Sequence, residues 1–366
     1  MKLVGILQSI ANGGAEKQLL LLSRSLSEMG WTTEIWTLAP PQQDGRMQQL
    51  MDEAKSAGVV VRLPKLGRLL GWLEVLFRLI MSRSAMTIWT WGLRAEVLGQ
   101  IAAVLNRSLH LILTLRWAEE NRIRKEAKIR SYLRAPIRGF ISNSERARLM
   151  VEEHEGQKYP VRIVPNIFLR SDLKSSLALP EALPDVVDLA VVGHFRTKQK
   201  GYDIFPHLIR YVRKQGVNIR IHLAGRNDDG GEFLDELSGD EFRNSFNYHG
   251  VVKEMGAFLS SAQLYLSVSR SEGMSNALIE AMLLGLPAVA TRTGDVGLTF
   301  KDREIVHVAE IDDVGSIGGR IVEAVRNWSE TKKMAARGTQ FCLSYSDPAK
   351  NAKAAKRAIE ELSALV

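Results

Sequence analysis

Two glutamates, Glu272 and Glu280, are the residues with the clearest capacity for chemistry. Glu272 stands just before a predicted helix and Glu280 stands inside it, eight positions later (280 − 272 = 8). At a rise of about 1.5 Å per helical residue, their backbones are no more than about 12 Å apart. One carboxylate can therefore reach one end of a diphosphate ligand while the other binds a diol at the opposite end. The same spacing also occurs on ordinary helices with solvated glutamates. The surrounding residues must therefore distinguish a ligand-binding site from an ordinary helix.

The residues between the two glutamates predict a helix start that binds anions. The segment Val268–Thr291 reads as strand, loop, helix, turn and strand, with Gly273 and Met274 in the loop. Ser275 or Asn276 suits the N-cap, because a short polar side chain can accept a hydrogen bond from the first helical turn. The unpaired N–H groups of that turn attract anions, and open α/β sheets bind ligands at the carboxyl ends of their strands.

Two further loops contain residue types that suit phosphate groups. Gly13 and Gly14 follow the first predicted strand. Adjacent glycines let a backbone approach a ligand closely, although a tight strand–helix turn also needs glycine for steric reasons alone. The loop Val192–Gly201 is strongly basic and includes Lys200. That cluster is either an anion site or a solvated turn.

The elements that must position these residues alternate along the chain. Short apolar runs alternate with longer helical patterns, which is typical of parallel α/β units. The predicted strands are Leu3–Leu7, Thr33–Leu38, Val59–Leu63, Met86–Trp91, Leu109–Leu115, Gly139–Ser142, Leu189–Val192, Ile219–Leu223, Phe246–Tyr248, Leu264–Val268 and Ala288–Thr291. A Pro-containing stretch between Phe168 and Asp188 interrupts the alternation. At roughly 150 residues per domain, the sequence predicts domains at 1–170 and 171–346, followed by a helix at 347–366.

Composition narrows the class of protein and its compartment. The chain has 366 residues, 49 Lys+Arg against 41 Asp+Glu, a net charge of +8 and 45% apolar residues, values typical of a soluble globular protein. The single cysteine, Cys342, cannot form an internal disulfide, which indicates a reducing cytosol. No segment reaches the ~18 apolar residues that span a bilayer, and no Cys or His spacing is typical of a zinc site. No G-x-G-x-x-G follows a predicted strand, which argues against a dehydrogenase.

The segment Ser271–Pro287 resembles the E-x7-E motif of retaining, GT-B-fold glycosyltransferases of family four (glycosyl transferases group 1). Gly13–Glu16 resembles the glycine-rich loop of that family, Val192–Gly201 its diphosphate loop and Tyr248–Val251 the loop that holds the base. The resemblance implies an α/β protein with two doubly wound Rossmann-like domains facing across a cleft. The first domain would bind the acceptor and the second the nucleotide-sugar donor, while the C-terminal helix would cross back to the first.

The resemblance also implies a role for each candidate residue. Glu272 would contact the donor sugar at its reacting face, while Lys200, helped by Arg196, would neutralise the leaving diphosphate. The implied donor-binding residues are Glu280, Gly273, Met274, Ser275, Asn276, Gly193, His194, Gly250 and Val251. The implied acceptor or phosphate loop contains Gly13, Gly14, Glu16 and Arg116. No metal and no cofactor is expected, because the nucleoside diphosphate sugar is itself the donor substrate.

Two positions depart from the family pattern. His194 stands where the family has an arginine, and a neutral imidazole cannot supply a guanidinium fork. Arg116 stands where many relatives have a histidine, and a permanently charged arginine cannot be a general base. No catalytic base is therefore visible in the sequence.

The basic and apolar residues of the first domain indicate an acceptor at an anionic lipid surface. The segment Leu66–Met81 is both apolar and basic, which suits an anionic lipid surface as well as it suits a core helix. The crowded cations nearby are Arg116, Arg122, Arg124, Lys125, Lys128, Arg130, Arg134, Arg138, Arg146 and Arg148.

The resemblance implies sugar transfer with retention, and the basic and apolar segments indicate a lipid-linked or surface-polysaccharide acceptor, such as one for lipopolysaccharide or capsule. The expected place is the cytoplasmic face of the inner membrane, through peripheral contact, and no nucleic acid is expected to bind. The alternatives are a nucleotide-sugar epimerase of GT-B fold and a non-catalytic nucleotide-sugar-binding subunit.

Overall fold

The computed structural model describes residues 1–10, 13–41, 45–169, 177–195, 197–227, 232–300 and 303–365. The chain divides into two compact units, one formed by Met1–Ile167 with Pro348–Val366 and the other by Phe168–Asp347. Each unit contains one parallel β-sheet with helices packed against it. The predicted α/β class, with two Rossmann-like domains, is confirmed.

The first unit is a seven-stranded parallel sheet. Its strands are β1 (Lys2–Leu7), β2 (Thr32–Thr37), β3 (Val60–Arg62), β4 (Met86–Trp91), β5 (Leu109–Leu115), β6 (Ile137–Ser142) and β7 (Val161–Ile163). Its helices are α1 (Gly14–Glu28), α2 (Gly45–Ser56), α3 (Gly67–Ile80), α4 (Leu93–Leu105), α5 (Glu120–Leu133) and α6 (Glu145–Glu155). The strand order β3-β2-β1-β4-β5-β6-β7 reverses direction beside β1, which makes the carboxyl ends of β1 and β4 the natural ligand crevice of this sheet.

Alternate side chains of β1 show why helices cover both faces of this sheet. Gly5 faces α1, where an added Cβ would lie 2.8 Å from a methyl carbon of Leu19. Val4 and Ile6 point the other way, into a core that includes Leu98 of α4. A strand that is apolar on both faces must be covered on both, as in doubly wound folds.

The second unit is a six-stranded parallel sheet. Its strands are β8 (Val186–Val192), β9 (Asn218–Ala224), β10 (Phe246–Gly250), β11 (Leu264–Ser267), β12 (Ala288–Thr291) and β13 (His307–Ala309), in the sheet order β10-β9-β8-β11-β12-β13. Its helices are α7 (Thr197–Lys200), α8 (Phe205–Lys214), α9 (Glu232–Leu237), α10 (Met255–Ser260), α11 (Asn276–Leu283), α12 (Val314–Arg326) and α13 (Trp328–Tyr345). Cys342 is buried and free, and burial raises the pKa of its thiol to about 12, so it packs as a small apolar side chain.

The last helix, α14 (Pro348–Ala364), belongs to the first unit, although it follows the second in sequence. Asn351 donates from Nδ2 to the Asn166 carbonyl at 3.1 Å, and the hydroxyls of Ser363 and Thr87 lie 2.9 Å apart. These contacts fix α14 against the segment after β7 and against β4.

Glu34, on β2, is a buried carboxylate that holds the edge of the first sheet together. Its carboxylate oxygens lie 2.6 Å from Arg62 Nε, 2.8 Å from Trp36 Nε1 and 3.1 Å from Lys2 Nζ. Burial alone would raise the pKa of Glu34, but these donors lower it from 4.5 to about 2. Because the pKa of Glu34 is depressed in the folded state, the contacts of its carboxylate stabilise the protein fully above about pH 4.5. This contribution is lost as the pH falls towards 2.

We expect Glu34→Gln to lower the free energy of unfolding by about 3 kcal/mol at pH 7 and by much less at pH 3. Denaturant unfolding followed by tryptophan fluorescence at the two pH values measures this difference. Glu28→Gln, which disrupts an exposed pair with Arg24, is the matched control and should change little at either pH. An equal loss for Glu34→Gln at both pH values would contradict the assignment.

Five of the ten cations in the predicted basic cluster of the first unit pair with carboxylates. Arg130 is only 1% exposed and pairs with Glu96 at 2.7 Å and Glu155 at 2.6 Å. The other members of the cluster that pair with carboxylates are Arg122, Arg124, Arg146 and Arg148. Helical spacing of three or four residues places most of these partners on the same helix face. Lys125, Lys128 and Arg134 of the same cluster are exposed.

The apolar face of α3 is instead exposed. Leu69 is 85% exposed and Phe77 is 65% exposed, whereas Gly71, Val75 and Leu79 face the core. The other exposed apolar side chains here are Leu66, Leu70, Trp72, Leu73 and Met81. Within the described ranges, no helix is long and apolar enough to cross a membrane.

Candidate active site

The start of α11 forms as the sequence predicts, with Ser275 as its N-cap. Ser275 Oγ accepts a hydrogen bond from the Leu278 N–H at 3.4 Å, and it also bonds to the phenol of Tyr265 on β11. Gly285 follows the helix with φ +88°, a conformation that glycine adopts without strain. The first turn of α11 therefore lies at the carboxyl end of β11.

Lys200 and Glu272 form an ion pair at this edge of the second sheet. The Lys200 ammonium donates to Glu272 Oε1, and Ser269 Oγ donates to the same oxygen at 3.1 Å. The two charged side chains are only 19% and 15% exposed. A cation and a carboxylate that the sequence separates by 72 positions are thus held together at the strand ends.

Backbone contacts fix the loop of α7 against the loop that carries Glu272. The Arg270 N–H donates to the Gln199 carbonyl at 2.8 Å, and Gln199 Nε2 donates to the Ser271 carbonyl at 3.1 Å. The Arg270 guanidinium pairs with Asp203 at 2.8 Å and with Asp312 at 2.6 Å. Such pre-set positions reduce the reorganisation that binding or catalysis requires.

The charges of Glu272 and Glu280 both act on one buried side chain, Tyr265. Burial raises the pKa of the Tyr265 phenol, and the charge of Glu272 and then that of Glu280 raise it further. The Tyr265 phenol also bonds to Ser275 at the start of α11, and this bond lowers its pKa in turn.

Three glycines follow neighbouring strands β8, β9 and β10 and bring their ends into contact. An added Cβ on Gly193 would lie 2.5 Å from Tyr202 Oη and 3.2 Å from Lys200 Cε, so the absence of a side chain is required there. An added Cβ on Gly225 would overlap the Gly193 carbonyl. The Gly225 N–H donates to the Gly250 carbonyl at 2.8 Å, which joins the loop predicted to hold the base to this row.

The structure gives His194 a specific partner. Its Nδ1 accepts a hydrogen bond from the backbone N–H of Arg226 at 3.2 Å. Nδ1 therefore carries no proton in this arrangement, and an arginine at position 194 could not replace the bond because a guanidinium has no acceptor.

The structure places the remaining predicted residues of the second unit as follows. The side chain of Met274 is buried in the core of the second unit beside Leu278, so only its backbone is available to a ligand. Val251 is 55% exposed just after β10. Asn276 opens α11 as its first residue. Gly273 is buried, and its carbonyl accepts from the Asp295 N–H at 3.1 Å. Arg196 lies outside the described residues.

The candidate residues of the first unit lie at the carboxyl edge of its own sheet. Gly13 is the N-cap of α1, which begins at Gly14, and the Glu16 carboxylate lies against Gly13. Arg116 follows β5 and donates from Nη2 to Asn166 Oδ1 at 2.7 Å, with its guanidinium 5.0 Å from the Trp91 ring centroid. Burial lowers the pKa of Arg116 to about 10, and the charge of Glu16 opposes that shift. Arg116 remains a cation at neutral pH.

Sequence reasoning missed four residues that shape these sites. Ser269 and Gln199 lie within motif segments that had been singled out, but only their contacts reveal that they orient Glu272 and fix α7. Tyr265 lies on a predicted strand, where an apolar role was the natural expectation. Arg226 follows a predicted strand by only a few residues, and a position just after a strand is the sequence feature that could have identified it as a site residue.

Within the described parts of the chain, no cluster of three or more His, Cys, Asp or Glu side chains could hold a metal ion.

Comparisons with known proteins agree with this geometry. Residues 187–327 match the family model described as glycosyl transferases group 1. A 2-deoxystreptamine N-acetyl-D-glucosaminyltransferase from Niallia circulans is 22% identical over 138 residues, 37% of this chain and 36% of the relative. An uncharacterised glycosyltransferase from Methanocaldococcus jannaschii is 27% identical over 160 residues, 42% of this chain and 43% of the relative. This chain thus spans less than half the length of either curated relative.

A solved structure matches the whole chain. Anabaena HepE, crystallised in complex with UDP and glucose, superposes with a TM-score of 0.78 at 16% identity, over 100% of both chains. An identity this low shows the fold alone. The GT-B fold and the resemblance to group 1 glycosyltransferases are therefore confirmed.

Proposed function

We propose that this protein is a glycosyltransferase that takes a sugar from a nucleoside diphosphate sugar bound in the second unit. The observation that carries the proposal is the Lys200–Glu272 ion pair beside the capped start of α11, within the segment that matches the family model. The UDP bound by Anabaena HepE makes a uridine nucleotide the first candidate donor.

The proposed chemistry assigns one task to each charged group. Lys200 neutralises charge that develops on the leaving diphosphate, as positively charged clamps do in other transfers, and no metal ion is then needed. The N–H groups at the start of α11 add further positive potential. Glu272 contacts the sugar at its reacting carbon, and Glu280 binds the ribose hydroxyls.

The transfer is proposed to retain the anomeric configuration. The support for retention is the resemblance of Ser271–Pro287 to the E-x7-E motif of retaining glycosyltransferases. Arg116, which has no proton-accepting atom, also stands where many relatives have a histidine. Deprotonation of the acceptor by the leaving diphosphate on the same face would then complete the step: the acceptor oxygen forms the new bond to the sugar, the bond to the diphosphate breaks, and the proton ends on the diphosphate.

A panel of UDP-, GDP-, ADP- and dTDP-sugars tests the donor proposal. We expect saturation-transfer NMR to show contact with the base, ribose and sugar protons of one of these donors. Absence of contact with all of them would contradict the proposal. Formation of an epimerised sugar nucleotide without any acceptor would identify an epimerase, and binding without any transfer to lipid extracts would identify a non-catalytic subunit.

We further propose that the acceptor is a lipid-linked saccharide, reached by peripheral contact of the first unit with an anionic membrane at the cytoplasmic face. The support comes from α3, whose exposed leucines and aromatic residues lie beside the exposed cations Lys65 and Arg68. An amphipathic helix with these features lies at the level of lipid headgroups. A single cysteine fits a reducing compartment.

A double variant of α3 tests this contact. We expect Leu69→Ser with Phe77→Ser to reduce binding to phosphatidylglycerol vesicles by about tenfold or more, because each exposed apolar side chain would otherwise be buried in lipid. Vesicle flotation at low and high salt measures the binding, which should weaken with salt. Leu105→Ser, which changes a 61% exposed leucine at the end of α4, is the control. Equal binding of the double variant and the control would contradict the contact.

A further inference from the structure

Arg226 is a cation placed at the point where the sequence lacks an expected one. It follows β9, and its side chain is exposed. Its backbone N–H donates to His194 Nδ1 at 3.2 Å, and its carbonyl accepts from the Phe195 N–H at 2.8 Å. The backbone of Arg226 is therefore fixed beside His194, at the end of the neighbouring strand.

The glycines on either side explain why Arg226 comes so close. Gly225 has φ +157°, and its Cα lies so near the Gly193 carbonyl that no larger residue fits. Parallel pairing then continues past the strand ends, through the bridge between Phe195 and Asn227. This continued pairing places the Arg226 backbone against the loop Gly193–Phe195.

Lys200 lies on the other side of the same loop. An added Cβ on Gly193 would be 3.2 Å from Lys200 Cε and 3.4 Å from Lys200 Nζ. Gly193 thus lies between Lys200 and the Gly225–Arg226 turn. A diphosphate carries charge on two phosphate groups, so cations on both sides of one strand end complement it better than Lys200 alone.

We propose that Arg226 binds the diphosphate of the nucleotide, supplying from β9 the guanidinium that His194 cannot supply from β8. This inference rests on the proposed donor site in the second unit. His194 acts as a positioning residue in this arrangement, since its Nδ1 holds the Arg226 backbone in place. The ligand class is a nucleoside diphosphate, recognised by its phosphates.

UDP, which carries phosphates, and uridine, which does not, distinguish phosphate binding by Arg226 from other roles of this residue. We expect Arg226→Gln to weaken binding of UDP, measured by calorimetry, by about tenfold or more, because a charged hydrogen bond to phosphate is lost. Binding of uridine, measured by saturation-transfer NMR, should stay within about twofold of wild type. Arg226→Lys should fall between wild type and Arg226→Gln, because a lysine keeps the charge without the fork. GDP with guanosine, ADP with adenosine and dTDP with thymidine replace the pair if wild type prefers one of those bases.

Arg243→Gln is the matched control, because Arg243 is an exposed arginine of the same unit whose side chain pairs with Asp240. Thermal melting of each variant establishes that it is folded. Unchanged UDP affinity in Arg226→Gln would overturn the proposal. Equal losses for UDP and uridine would also overturn it, since they would assign Arg226 to the base or to loop positioning. If wild type binds none of the four diphosphates, the donor site itself fails, and this inference fails with it.

Discussion

Lys200→Ala is expected to reduce the affinity for the nucleoside diphosphate by about thirtyfold or more. Lys200 is largely buried and is paired with Glu272, so its removal both deletes a cation from the phosphate site and leaves Glu272 without its partner. An uncompensated carboxylate would then repel the incoming diphosphate. Calorimetry with the donor's nucleoside diphosphate measures the change.

Lys198→Ala provides the matched control, because Lys198 lies in the same short helix but its side chain is exposed. It removes the same charge from nearly the same place and should change affinity by less than about threefold. The double variant Lys200→Ala with Glu272→Gln should recover part of the loss, since it removes the repulsion as well as the cation. Equal affinities for the Lys200 and Lys198 variants would contradict a diphosphate at this loop.

Glu272→Gln is expected to lower kcat by about a hundredfold or more while the donor affinity changes little. The amide keeps the size of the side chain and a hydrogen-bonding oxygen for Ser269, but it removes the charge beside the reacting carbon. Glu280→Gln should do the reverse, raising the dissociation constant of the donor by about tenfold with a smaller effect on kcat, because it removes the carboxylate that we propose binds the ribose hydroxyls.

Steady-state kinetics together with donor calorimetry distinguish these two patterns. Each variant is the control for the other, since both replace a glutamate whose charge acts on Tyr265 by glutamine. If both variants keep wild-type kinetics and affinity, neither glutamate belongs to the site. If both lose affinity alone, Glu272 is a binding residue and its placement at the reacting carbon is wrong.

The sequence predicted the alternation of strands and helices well because periodic burial is a local property. The predicted strand Met86–Trp91 coincides with β4, and Ser275 caps α11 as expected. Sequence reasoning did not list β7 and β13, which have three residues each and so show little periodicity. The equally short β3 was predicted because it lies within the longer run Val59–Leu63.

The contacts between distant residues could not be predicted. The pairing of Lys200 with Glu272 and of His194 with Arg226 depends on which strand ends are neighbours, which is a property of the sheet order. The burial of the Met274 side chain in the core of the second unit was likewise not visible in the sequence. The sequence also did not show which cations of the predicted basic cluster pair with carboxylates, as Arg130 does with Glu96 and Glu155.

The most direct test of the proposed site is a crystal structure of the protein with the diphosphate of its preferred donor. We predict that the diphosphate lies within hydrogen-bond distance of Lys200 Nζ and the first N–H groups of α11, with the ribose against Glu280. A nucleotide bound away from the carboxyl edge of the second sheet, with Lys200 still paired only to Glu272, would contradict the proposed function at its centre.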